Sequence, residues 1–224
     1  MPALNAGVLL MKMESWEQAI PYLQEAVRLN PFNGLAHYNL GLICMENNYM
    51  IPAMLSFQMV LLVHDDADER LSALTLYEKM AKGGWQVPRD SLYWSMPGGQ
   101  NNFQDIEQLI RSKIAFSDKY KSKVDLQYLS IVKQMQLLYE QIQYNAADTG
   151  FWMQYYVPYI RKVWESDHFP ASVYYCFNNL TSEEAVKQVK RNQSAISKMK
   201  DFANGYWSKK RVAYWLNNKL VESN

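Results

Sequence analysis

The feature that most narrows what this chain can fold into is a repeat at its front. Gly7 recurs as Gly41, Ala19 as Ala53, Leu23 as Phe57, Ala26 as Val60 and Leu29 as Val63, every pair at one constant offset. Asn30-Pro31 stands between the copies and stops a helix. A period of about 34 residues is that of a helical hairpin, which cannot bury its own apolar face and has to stack on a neighbour. The sequence therefore predicts two stacked hairpins over residues 1–66. A third partner follows. Asp65, Asp66, Asp68 and Glu69 sit where a helix would begin, a placement favoured by the macrodipole, and Leu71, Leu74 and Tyr77 continue at helical spacing to about residue 82. This segment reads as a capping helix. His64 beside those carboxylates suggests a metal site, but acidic residues at a helix start explain the cluster without one.

Gly7, Ala19, Leu23, Ala26 and Pro31 in the first copy, and Leu40, Gly41, Ala53, Phe57 and Val60 in the second, resemble the tetratricopeptide repeat family. The likeness covers residues 1–66 and departs at the closing proline, where the second copy has Asp65. It implies a short α-solenoid. It also implies a peptide-binding groove lined by the first helix of each unit. The matching positions are Leu4, Val8, Met11 and Lys12, then Tyr38, Leu42, Met45 and Glu46. Leu4 and Val8 stand where some members of that family place carboxylate-gripping Lys and Asn, so the implied groove is apolar. Such a groove is either a partner site or is covered by the rest of the chain, and both readings stay open.

Residues 83–101 form a Gly/Pro/Trp-containing linker, GGWQVPRDSLYWSMPGGQN. Trp85, Tyr93 and Trp94 predict that it packs on a helical surface, in the sharpest version with Trp85 or Trp94 in the groove. Residues 102–205 read as a helical, bundle-like region. Phe103, Ile106, Leu109 and Ile114 mark one helix. Val124, Tyr128, Ile131, Met135, Leu138 and Ile142 mark a second, of about 20 residues. Phe151, Trp152, Tyr155, Tyr156, Tyr159 and Trp164 crowd a third, which Pro158 either kinks or starts. These rings read first as core. As an alternative, Trp152, Tyr155, Tyr156 and Tyr159 offer a stacking face for a glycan or lipid. Asp167-His168-Phe169-Pro170 opens a helix through Val173, Tyr174, Phe177 and Leu180. Thr181 and Glu184 form a capping box for a helix that runs through Phe202 to a stop at Gly205. The tail, 206–224, reads equally as a basic amphipathic helix or as a hairpin of Val212–Leu216 and Lys219–Val221 about Asn217-Asn218.

Charge is graded along the chain. Residues 1–85 carry 5 basic and 9 acidic side chains, residues 86–180 carry 9 and 9, and residues 181–224 carry 9 and 4. The overall formal charge of +1 removes any simple case for nucleic-acid binding. The basic end is a candidate for contact with a membrane or an acidic partner, and its bland reading is a solvated helix face. Two cysteines make no disulfide scaffold, and no apolar run approaches a membrane span. The three histidines are scattered, and no nucleophile elbow, phosphate loop or dinucleotide fingerprint occurs. The sequence thus predicts an all-α, non-enzymatic adaptor without catalytic residues, metal or cofactor, acting on a protein or peptide. No leader is visible, so the default is cytoplasmic, while a leader already removed would leave the same sequence. Met1 falls almost at the start of a repeat helix, so the chain also reads as a piece of something longer.

Overall fold

The computed structural model describes residues 2–64, 66–83, 103–126, 130–178 and 183–222. Among them the fold is all-α, with no strand. The front is four helices in two hairpins: α1 (Pro2–Lys12) with α2 (Trp16–Leu29), and α3 (Gly34–Glu46) with α4 (Met50–Val63). Helices α2 and α4 start and end at the same offset that relates the repeated residues. The shared small residues explain the close packing. A Cβ on Gly7 would lie 2.7 Å from the Leu23 side chain, and one on Gly41 would lie 2.6 Å from the Phe57 ring. Each glycine of a first helix thus lets the bulky residue of its own hairpin pass at backbone distance.

The capping helix is α5 (Ala67–Ala81), stacked on α4. Asp66 caps it, accepting from the backbone N–H groups of Asp68 and Glu69 at 3.0 Å each. His64 hydrogen-bonds Glu69, and its ring fills the space that a side chain at Gly34 would take. These groups therefore staple α4, α5 and the start of α3 together. Among the described residues no group of His, Cys, Asp and Glu is arranged to hold a metal ion.

The second region contains α6 (Gln104–Arg111), α7 (Ser130–Gln141), α8 (Phe151–Tyr155), α9 (Val157–Glu165), α10 (Phe169–Cys176), α11 (Glu183–Arg191) and α12 (Gln193–Glu222). Helix α6 is shorter than its apolar pattern predicts. Lys113 takes a left-handed conformation (φ 56°), and a 3-10 turn, Ile114–Phe116, follows. Among the described residues α7 runs from Ser130 and does not extend to 124. Val124 is buried as the periodicity requires, and Leu126, off that seam, is buried as well, both in a non-helical segment clamped by Gln136. The Gln136 side chain accepts from the Lys123 N–H at 2.7 Å and donates to the Lys121 carbonyl at 3.0 Å. Tyr128 lies outside the described residues. Pro158 starts the regular part of the aromatic segment, in the first turn of α9.

Of the two readings open for the tail, the helix holds and the hairpin does not. Residues 206–222 continue the 30-residue α12, and the expected stop at Gly205 is corrected, since the helix runs through it. A glycine in mid-helix costs about 1 kcal/mol. Ala203 and Trp207 on either side of it are buried, and burying a tryptophan offsets that cost. At helical spacing Trp207, Lys210 and Tyr214 all face the body, whereas a lone hairpin would bury little. The helix expected from Glu184 to Gly205 is also interrupted, at Asn192, between α11 and α12. Asp65, the linker with Trp85, Tyr93 and Trp94, Leu180 and the capping residue Thr181 lie outside the described residues.

A single apolar core runs through both regions. Helices α6 and α10 pack on α4, α7 packs on α5, and α12 packs on α2. The second region therefore covers the second helix of each hairpin. Consistent with that, every residue of α4 from Met50 to Leu62 is buried.

Candidate functional site

The packing order decides which face of the repeat remains. Helix α1 packs chiefly on α2 and α3, and α3 on α1, α2 and α4. The side chains at the repeat-equivalent pairs Leu4/Tyr38, Val8/Leu42 and Met11/Met45 are all half-buried. Lys12 and Glu46, the fourth pair, are exposed. The eight residues that the family resemblance implies for a groove thus share one character. Each pair keeps its base in the repeat and its outer part accessible among the described residues. Tyr38 is held edge-on to Phe57 with ring centroids 5.8 Å apart, which fixes its orientation against the same ring that crosses Gly41. Chemically, this is an apolar strip two helices wide, with a cation at the end of α1 and a carboxylate at the end of α3.

The opposite side of the repeat shows why that strip is distinct. Ser56 and Gln58 are fully buried polar residues in the otherwise apolar α4. The Ser56 hydroxyl donates to the Pro52 carbonyl at 2.8 Å and accepts the indole N–H of Trp152 at 2.9 Å. The Gln58 amide lies 3.6 Å from the Cys176 sulfur. Arg70 of α5 donates to the Tyr175 carbonyl at 2.7 Å and lies 4.6 Å from that ring's centre. Gln134 of α7 donates to the carbonyls of Ala81 (3.0 Å) and Ile110 (3.1 Å), tying the C-terminal ends of α5 and α6 to α7. One usable signal for this seam is present in the residues: Ser56 and Gln58, alone among apolar neighbours, ask for partners. The partners themselves come from the far half of the chain, where no local pattern points back to them.

His37 is the polar link from α3. Its Nε2–H donates to the Pro31 carbonyl (2.8 Å), so its Nδ1 accepts from the Tyr156 hydroxyl (2.6 Å). Burial pushes His37 down to about 4, against the opposing pull of the Pro31 hydrogen bond, so the ring is neutral near pH 7. It is a structural histidine, as its place between helices suggests. The thiols are interior as well. Burial pushes Cys44 well above its ordinary range and Cys176 up to about 12, leaving neither as a ready nucleophile.

The aromatic ligand face is the second correction. Trp152, Tyr156 and Tyr159 are fully buried, and Tyr155 is nearly so. Tyr155 stacks on Phe151 (5.2 Å) and meets Trp207 (5.2 Å), and Tyr159 also meets Trp207 (4.9 Å). Their ring faces are spent on one another and on α12, so they present no platform to a ligand. No family model, curated protein or solved structure matches the chain.

Proposed function

We infer that the protein is a non-enzymatic, tetratricopeptide-like adaptor that binds a peptide or helix of a partner protein along α1 and α3. The supporting observation is the contrast between the two sides of the repeat. Helix α4 is buried along nearly its whole length and α2 is covered by α12 on one side, while Leu4, Val8, Met11, Tyr38, Leu42 and Met45 keep accessible apolar surface in a strip that recurs from one hairpin to the next. The resemblance to the tetratricopeptide repeat family supplies the kind of ligand. An extended or helical segment with apolar anchors at successive turns suits such a strip. Lys12 and Glu46 set its polarity, favouring an acidic group at the α1 end and a basic group at the α3 end.

Selection of random displayed peptides on the full chain tests this. Wild type should enrich apolar peptides with opposite charges at their two ends. Leu42→Asp should lose them at least 10-fold while keeping its helical circular dichroism. The Lys12→Glu/Glu46→Lys exchange should enrich peptides of reversed polarity. Peptides bound equally by wild type and folded Leu42→Asp would overturn the reading.

A further inference from the structure

We propose that the outer face of α12 from Lys209 to Leu216 docks on an anionic lipid surface. The helix is two-sided at this point. Its inner side is anchored: Trp207 is fully buried between Tyr155 and Tyr159, Lys210 lies 6.0 Å from the centre of the Tyr155 ring, and Tyr214 donates to Glu25 of α2. Its outer side carries Val212, Trp215 and Leu216, 53%, 49% and 58% exposed, three neighbours within little more than one turn. Large apolar side chains grouped in this way mark an interaction face more often than a solvated one.

Charge identifies the occupant. From Lys209 to Lys219 the sequence holds four cations and no carboxylate. Lys210 is turned inward onto Tyr155, and burial together with Lys162 lowers its basicity. Lys209 is exposed and Arg211 is partly so, one on each flank of the apolar trio. Lys198 lies on the same stripe three turns earlier, about 16 Å from Lys209. Of the carboxylates, Glu25 is engaged by Tyr214, and α12 itself carries Asp201, upstream on the outer stripe, and Glu222 at its last position. An exposed tryptophan among aliphatic residues and cations matches the boundary between headgroups and acyl chains, where indole rings and basic side chains concentrate. Because the inner side of α12 is fixed to the body, its outer side is the one left to meet a surface. A bilayer rich in phosphatidylserine supplies that surface.

Co-sedimentation of the full chain with vesicles tests the proposal. The protein should pellet with vesicles of two parts phosphatidylcholine to one part phosphatidylserine but not with phosphatidylcholine alone, and raising the salt should release it. Replacing both Lys209 and Arg211 by Gln should weaken binding about 30-fold, at about fivefold per cation. Trp215→Phe should bind as well as wild type yet lose most of the fluorescence quenching by brominated acyl chains, which places residue 215 at the interface. All three residues face outward, so unchanged circular dichroism is expected. Failure to pellet with the anionic vesicles would overturn the proposal. So would binding insensitive to the charge variant, quenching unchanged in Trp215→Phe, or a dimer in light scattering that Trp215→Ala/Leu216→Ala abolishes. Loss of groove peptides in Leu42→Asp bears on none of these outcomes.

Discussion

The two halves of the molecule are held together by different kinds of contact. In the repeat, the deciding contacts are short in sequence and come twice: Gly7 against Leu23 and Gly41 against Phe57, each glycine facing the second helix of its own hairpin. In the second region they are long in sequence and come once: Trp152 to Ser56, Tyr156 to His37, Tyr175 to Arg70, Tyr214 to Glu25. The repeat is a modular stack whose interfaces could be extended. The second region is a cradle fitted to one particular stack. The cradle buries α4 and covers one side of α2, and it leaves the apolar strip of α1 and α3 accessible.

The largest effect is expected where the cradle meets the stack. Trp152→Ala removes a fully buried indole and its hydrogen bond to Ser56, and should cost about 3–5 kcal/mol in urea denaturation. If the halves were merely tethered, the repeat would keep its transition, and the loss would appear in one of two separate steps.

Acid probes the same seam through His37. Its folded-state value of about 4 lies below the ordinary 6.5, so between those pH values the unfolded chain binds a proton that the folded chain refuses. The stability that comes from keeping this ring neutral is fully present above pH 6.5 and is lost as pH falls toward 4. Across that window the wild type should lose about 2–3 kcal/mol more than His37→Gln. Equal slopes for the two proteins would remove His37 from the seam.

A smaller effect separates the two hairpins. Gly41→Ala drives a methyl into a rigid ring and should cost about 1–3 kcal/mol. Gly7→Ala meets the end of a leucine side chain that can turn aside, and should cost less. The reverse order in thermal denaturation would mean that the second hairpin is the looser one.

How much of this was legible follows from the same contrast. Repetition made the first four helices readable, because a contact that recurs at a fixed offset announces itself in the residues, and the fifth was readable from its acidic start and helical spacing. The all-α class, the role of Pro158 and the interior place of His37 were also within reach. The hairpin proposed for the tail failed because Val212, Tyr214 and Leu216 alternate as a strand does. Helical spacing instead sends Trp207, Lys210 and Tyr214 to the body, and tertiary burial outweighs local pattern. The helix expected from Val124 does not hold there, because Val124 fits the helical period while a glutamine clamp holds its segment in another backbone. The ring-lined face failed for want of depth: a sequence lists aromatics but not which of them another helix covers. The strip of α1 and α3 could be placed from the repeat, whereas its accessibility depends on where the cradle packs.

The most direct test follows the methionine methyl groups, which report on both sides of the repeat. Protein labelled with carbon-13 at these methyls would be titrated with a peptide selected on the wild type. Met11 and Met45 lie on the strip, and Met54 and Met59 are buried on the covered side. The account predicts that the signals of Met11 and Met45 shift and saturate together while those of Met54 and Met59 stay in place. Saturable shifts at Met54 and Met59, with Met11 and Met45 unmoved, would contradict it.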